Sequence, residues 1–150
     1  VNGFCMNTTP VSFSVGACDL TGVKHTYSSV GGQCYPLTPL VVGPTEGVVP
    51  WGSGFKDFQD QGAGSSAAAP LVSGALAILA TEFPHLSNAE LRAAMRAGAI
   101  PLGAAGDFNP GTGAGLLQIE RSIQAAPNAK NHPSYSYEQR FLNEVSTLVD

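Results

Sequence analysis

Residues 64–70 have the sequence GSSAAAP, and an apolar run, LVSGALAILA, follows at residues 71–80. These features predict a helix from Ser66 to about Phe83, with Pro70 near its first turn, where a missing N–H is tolerated. A serine at a helix N-terminus lies beside free backbone N–H groups and the positive end of the helix dipole. Such groups can stabilise negative charge on an attacked carbonyl oxygen. Ser66 is therefore a candidate nucleophile with half of an oxyanion hole beside it.

An ordinary helix cap is the alternative explanation for Ser65 and Ser66. Serine side chains accept backbone N–H bonds at the start of a helix, so two serines before an Ala-rich run also fit an N-cap. The local chemistry alone favours the cap. The sequence on either side of this stretch reverses that preference.

The segment around Ser66 resembles the nucleophile motif of the subtilisin-like serine proteases, the subtilases. In that family Gly-[Thr/Ser]-Ser-x-Ala-[Ala/Ser]-Pro precedes a Gly-containing apolar helix, and Ser66 corresponds to the nucleophile. Further landmarks occur in the family's order at Phe13–Asp19, His25–Gly31, Phe83–Arg92 and Gly113–Leu117. The resemblance covers roughly residues 11–126 and implies the C-terminal part of such a protease. The implied fold class is α/β: the C-terminal half of a three-layer structure, with a mostly parallel sheet and helices on both faces.

Length, net charge and composition argue against several other classes of function. At 150 residues the chain forms one domain at most. Its net charge of −4 argues against nucleic-acid binding, which needs a basic surface. The interrupted apolar stretch from Ala67 to Ala80 is too short to span a bilayer, so no membrane span is expected. Cys5, Cys18 and Cys34 lack the C-x-x-C spacing of zinc or thiol-redox sites.

Periodicity and turn signals predict several further elements. Ser87 and Glu90 form a capping box for a helix from about Asn88 to Ala97. A flexible approach to the serine is expected from Gln59 to Gly64. The predicted strands are Val11–Ala17, Thr26–Val30, Leu40–Val42 and Val48–Val49, and a third helix is predicted over Leu116–Ala125.

Two regions are predicted along the chain. Residues 1–126 are the nucleophile half of a subtilase catalytic domain, and residues 127–150 are a linker followed by an amphipathic C-terminal helix. Residues 127–133 are the polar linker, and the helix carries apolar residues at helical spacing from Ser136 to Val149. Packing on the domain and docking of a partner are both open for this helix.

The chain does not supply an evident base for Ser66. A serine nucleophile needs a histidine within hydrogen-bond reach, oriented by a carboxylate. His25 lies in a surface-running segment of the family, His132 lies in the predicted linker, and His85 lies at the far end of the helix that starts at Ser66. Among the aspartates, Asp19 matches the strand-end aspartate of the family and not its catalytic one. Solvated turn positions are expected for Asp57, Asp60 and Asp107.

The resemblance implies where the missing groups are. In subtilases the catalytic Asp and His lie far N-terminal of the serine, whereas only 65 residues precede Ser66 here, so we expect the N-terminal half of the same protease as a partner. The second oxyanion donor of the family is an asparagine in an x-Gly-Asn motif. Asn2 lies at about the family's separation from Ser66, and Asn7 is a weaker candidate.

These observations leave three hypotheses. The first is part of a serine endopeptidase that hydrolyses peptide or protein substrates through an acyl-enzyme on Ser66. The second is a catalytically inactive pseudoprotease that serves as a structural or binding subunit, and the third is an unrelated helical-layer domain. No cofactor is required by the first hypothesis. Calcium is common in the family, although the sequence offers no dense acidic loop to hold it. A secreted or extracytoplasmic location is expected, and a start at Val1 suggests a processed or partial chain.

Overall fold

The computed structural model describes residues 12–31, 38–46, 48–51, 57–60, 64–103, 109–136 and 138–139. The strands are β1 (Val15–Cys18), β2 (Val41–Pro44), β3 (Val48–Trp51) and β4 (Asp57–Asp60). The helices are α1 (Ser65–Glu82), α2 (Asn88–Gly98), α3 (Ile119–Ala125) and a 3₁₀ helix (Ala126–Asn131).

The strands β1 and β2 pair in parallel, and β3 and β4 form a separate pair. Val15 lies opposite Val41 and Cys18 opposite Pro44. The ladder continues beyond β2, because the N–H of Val42 donates to the carbonyl of Gly115 at 2.9 Å. The hairpin of β3 and β4 is antiparallel. The predicted α/β class, with parallel strands and helices, is therefore confirmed.

Helix α1 packs on this sheet through a narrow stripe of apolar side chains. Ala68, Val72, Ala75 and Leu79 are its buried residues. A Cβ placed on Gly43 of β2 would lie 3.4 Å from Ala68 Cβ and from Val72 Cγ2, so the first turns of the helix face the strand at a distance that such an atom would fill in ordinary van der Waals contact. The small residues of α1 are what allow this packing.

The opposite face of α1 is apolar and exposed. Leu71 is 49% exposed and Ile78 is 53% exposed. A Cβ on Gly74 would meet nothing within 4 Å. By length and composition alone α1 would suffice to cross a membrane, a test that core helices of soluble proteins also pass. Nothing in the described residues covers this face.

Helix α2 starts with the predicted capping box. The hydroxyl of Ser87 accepts the N–H of Glu90 at 3.4 Å, and the Glu90 carboxylate accepts the N–H of Ser87 at 2.9 Å. Leu91 and Met95 then join the apolar core. The core as described comprises Leu40, Val41, Val72, Leu79, Leu91, Ala93, Ala94, Met95, Ala99, Ala126 and Ala129.

The strand predicted at Thr26–Val30 is wrong, because these residues form a turn. The hydroxyl of Ser28 accepts the N–H of Ala17 at 2.9 Å. The ammonium of Lys24 donates to the carbonyl of Ser28 at 3.0 Å. These side chains satisfy backbone groups that a strand would have paired with a neighbour. The flexible approach predicted from Gln59 is also wrong at its start, since Gln59 and Asp60 belong to β4.

Helix α3 begins three residues later than predicted. The N–H of Leu116 donates to the carbonyl of Ile100 at 2.9 Å, and the N–H of Leu117 donates to the carbonyl of Val42 at 3.0 Å. Leu116 thus pairs with the sheet instead of opening the helix. Gly115 has φ 123°, and a Cβ there would collide with the Ile100 carbonyl. The glycine therefore brings the chain close enough to pair.

The segment predicted as a polar linker instead forms the 3₁₀ helix Ala126–Asn131. Its Ala126 and Ala129 are buried in the apolar core. Residues 141–150, which hold most of the predicted C-terminal helix, lie outside the described residues. The boundary between residues 126 and 127 stays a prediction.

The capping box gives a stability prediction. We expect Ser87→Ala to lower the free energy of unfolding by about 1 kcal/mol at neutral pH, because Glu90 and the helix start lose reciprocal bonds. Chemical denaturation of the full-length protein measures this change. Ser73→Ala, at an exposed helix position, is the control and should stay within about 0.5 kcal/mol.

The same box gives a pH dependence. The hydrogen bond from the Ser87 hydroxyl, followed by that from its N–H, lowers the pKa of Glu90. A carboxylate with a lowered folded-state pKa stabilises the fold above its unfolded pKa, and this contribution is lost as the pH falls. The difference between wild type and Ser87→Ala should therefore shrink in acid. A difference that grew on acidification would contradict the assignment.

Candidate active site

Ser66 is the second residue of α1, and Gly64 is the residue that precedes the helix. Gly64 has φ 150° and ψ 143°, and no side chain caps the helix start. This backbone conformation is essentially confined to glycine. The N–H of Ala67 donates to the Gly64 carbonyl at 3.0 Å. The interpretation of Ser65 and Ser66 as an ordinary N-cap is therefore wrong.

The hydroxyl of Ser66 is available for chemistry. Ser66 is exposed, and its side chain makes no hydrogen bond within the described part of the chain. The backbone N–H of Ser66 precedes the first intrahelical bond of α1, so it points out of the helix end. The positive end of the helix dipole lies at the same place. A hydroxyl and an anion-stabilising N–H thus belong to one residue.

The packing of α1 places Ser66 near the carboxyl end of β2. Ala68, two residues after Ser66, touches Gly43 in the third position of that strand. In α/β folds ligands bind beyond the carboxyl ends of parallel strands. The sequence motif and the sheet edge therefore point to the same location.

Among the described residues, no hydrogen bond joins a histidine to Ser66. His25 stacks on Tyr27 with ring centroids 4.8 Å apart, and its Nε2 is buried without a hydrogen-bond partner. His132 contacts Ser134, with Nδ1 2.7 Å from the hydroxyl oxygen. His85 follows α1 at its opposite end, and Ser66 is the second residue of this 18-residue helix, which rises by about 1.5 Å per residue.

The carboxylate of Asp19 accepts hydrogen bonds within its own loop. Its Oδ1 accepts the N–H and the hydroxyl of Thr21 at 2.8 and 2.7 Å, and the N–H of Val23 at 2.9 Å. The side-chain bond from Thr21 is the largest cause of the lowered pKa of Asp19. Asp57 and Asp60 are the end residues of β4. Asp107, Asn2 and Asn7 lie outside the described residues.

No sequence pattern predicts the contact between the turn after β1 and the end of β2. The Tyr27 hydroxyl lies 3.0 Å from the hydroxyl of buried Thr45. Cys18 is buried beside this contact at the end of β1, and desolvation, followed by the charges of Asp19 and Glu46, raises its pKa to about 11. At neutral pH this thiol is protonated, so Cys18 is a packing residue.

Within the described ranges, no group of three or more His, Cys, Asp and Glu side chains is arranged to hold a metal ion. The expectation of calcium therefore stays a prediction without named residues.

Comparison with solved structures gives the same fold. Fervidolysin from Fervidobacterium pennivorans, a keratinolytic enzyme related to subtilisin, aligns with TM-score 0.63 at 22% identity over 80% of this chain. The CspB protease of Clostridium perfringens aligns with TM-score 0.65 at 26% identity over 78%. An S218A mutant of the protease domain of PatA aligns with TM-score 0.64 at 21% identity over 83%.

The chain spans only part of these proteins: 20% of fervidolysin, 27% of CspB and 43% of the PatA domain. A search of curated protein sequences found no match. A family model described as "Subtilase family" matches residues 7–137, which include α1 and Ser66. With its ordered landmarks, its parallel sheet and this match over most of its length, the chain belongs to the subtilase family.

Proposed function

We propose that this chain is the nucleophile-bearing part of a serine endopeptidase and that Ser66 forms the acyl-enzyme. The observation that carries the proposal is the exposed Ser66 hydroxyl in the first turn of α1, where Gly64 and not a serine precedes the helix. Membership of the subtilase family supports a serine protease. The substrates are peptides or proteins in an extracytoplasmic setting, as the resemblance implies.

The reaction follows from the groups around Ser66. The hydroxyl oxygen attacks the scissile carbonyl carbon while its proton passes to a histidine base. The carbonyl oxygen becomes negative and accepts the N–H of Ser66 at the helix terminus. Collapse of this intermediate releases the amine, which takes the proton from the histidine, and leaves an ester on Ser66. Water then hydrolyses the ester and restores the hydroxyl.

The catalytic His and Asp come from the N-terminal half of the same protease. The exposed apolar face of α1 supports this partner, since Leu71 and Ile78 are about half exposed and Gly74 leaves room for close packing. The small share of the aligned proteases that this chain covers supports it as well, because most of their length precedes or follows the aligned part. Asn2 supplies the second oxyanion donor.

A pseudoprotease is the second candidate function. It is favoured by the histidines, none of which bonds to Ser66 among the described residues. In that case the fold serves binding and the serine is not activated. Labelling with a fluorophosphonate separates the two, because only a serine activated by a base reacts with the reagent.

Ser66→Ala tests the nucleophile. In the full-length protein we expect hydrolysis of peptide substrates to be abolished, with kcat lower by roughly 10⁶-fold, a magnitude measured on subtilisin itself. Fluorophosphonate labelling should disappear in parallel. Ser65→Ala, one residue earlier on the same exposed helix start, is the control and should keep both signals. Hydrolysis that survives Ser66→Ala would disprove the acyl-enzyme.

Asn2→Leu tests the second oxyanion donor. We expect kcat to fall by about 10²–10³ with little change in KM, because the bond forms only in the transition state; this magnitude also comes from subtilisin. Asn7→Leu is the matched control. If Asn7→Leu produced the loss instead, the donor would be Asn7.

Ile78→Ala tests whether the N-terminal half covers the exposed apolar face of α1. If the N-terminal half packs on this face, the free energy of unfolding of the full-length protein should fall by about 2–5 kcal/mol. An exposed position would change by about 0.5 kcal/mol or less. Val23→Ala, at a loop residue that is 63% exposed, is the control. Equal and small effects of both variants would argue against the packed face.

A further inference from the structure

A fully buried glutamate fastens the C-terminal part of the chain to α2. Glu138 is 0% exposed and accepts hydrogen bonds from Arg92 Nε at 2.7 Å and from Arg96 Nε at 2.5 Å. Both arginines are themselves buried. We call residues 126–136 and 138–139 the C-terminal latch, since they contact α2 through this ion pair and through the 3₁₀ helix.

The contact also reaches the start of β1. Nη1 of Arg92 donates to the carbonyl of Ser12 at 3.1 Å, and its guanidinium lies 5.6 Å from the ring centroid of Phe13. One arginine therefore joins α2, the latch and the residues that enter the central sheet. Removing the carboxylate of Glu138 would leave two buried cations without their shared counter-charge.

His132 lies at the joint of the latch, between the 3₁₀ helix and the helical residues 133–136. Its Nδ1 accepts the N–H of Ser134 at 3.2 Å, in the manner of an N-cap side chain. The Ser134 hydroxyl oxygen lies 2.7 Å from the same nitrogen. A nitrogen that accepts an N–H carries no proton, so this geometry requires the neutral imidazole with its hydrogen on Nε2.

Protonation at Nδ1 removes this cap. The Ser134 hydroxyl can reverse its role and accept, but the Ser134 N–H cannot. The new positive charge would also lie at the N-terminus of a helical turn, where the dipole disfavours it. Arg96 on α2 is the charged group that acts on His132, and it shares Glu138 with Arg92. Lys130, on the 3₁₀ helix, lies 3.4 Å from Glu90.

We infer that the C-terminal latch is a proton-sensitive device that holds α2 and the start of β1 together while His132 is neutral and opens when His132 is protonated. Burial, followed by the charge of Arg96, lowers the pKa of His132, in agreement with this geometry. A histidine whose pKa is lowered in the folded state stabilises that state above its unfolded pKa near 6.5, and the stabilisation is lost as the pH falls. The inference does not depend on the protease activity.

Hydrogen exchange measured by mass spectrometry tests the latch in the full-length protein. Protection factors, corrected for the intrinsic pH dependence of exchange, are compared at pH 7.5 and pH 5 for peptides covering 126–139. We expect a several-fold loss of protection at the lower pH in the wild type. His132→Asn, which caps without titrating, should abolish this loss. His85→Asn, at an exposed histidine outside the latch, should leave it unchanged.

Glu138→Gln provides the second arm. It should lower the protection of the latch peptides at both pH values and leave the capping-box end of α2 protected. If this variant does not fold, the comparison of wild type with His132→Asn decides alone. Protection that is independent of pH in the wild type, or an equal acid loss in His132→Asn, would overturn the inference.

Discussion

The close packing of α1 on the parallel strands is the contact on which the rest of the site depends. Ala68 and Val72 face Gly43 of β2, where an added Cβ would be in ordinary van der Waals contact with both side chains. Because a helix is rigid over its first turns, this contact also fixes where Ser66 stands. Burial of Leu79 further along the same stripe holds the axis of the helix. The apolar side chains of α1 that pack on the sheet thus determine the position of Ser66, although they have no reactive groups.

The free face of the same helix explains the unusual composition of the chain. Charged residues make up 12% of the sequence, about half of the usual share. In α1 the polar face that a surface helix normally carries is replaced by Leu71, Gly74 and Ile78. A helix that is apolar all round is typical of one buried on every side. The nucleophile helix therefore has the composition of a core helix, although only one stripe of it is covered by described residues.

Several charged side chains of the described residues join one element to another. Arg92 and Arg96 lie on the buried side of α2 and share the single carboxylate of Glu138. Such a set depends on all of its members, since loss of one leaves an uncompensated charge in a low dielectric. Lys24 acts similarly with neutral partners, because its ammonium bonds two carbonyls of the turn after β1.

The features that depend on a few consecutive residues could be predicted from the sequence. The capping box at Ser87 and Glu90 needs only four consecutive residues, and the motif around Ser66 needs seven, so both were predictable. The turn at residues 26–28, the pairing of Leu116 with Ile100 and the burial of Glu138 depend on partners far along the chain. Hydrogen bonds and ion pairs between distant residues leave no periodic trace in a sequence. The sequence by itself determined the family, the fold class and the candidate nucleophile. Only the tertiary structure decided that Gly64 directly precedes α1 and that Leu116 pairs with the sheet and does not begin α3. It also decided that the C-terminal segment is bound to α2 through Glu138.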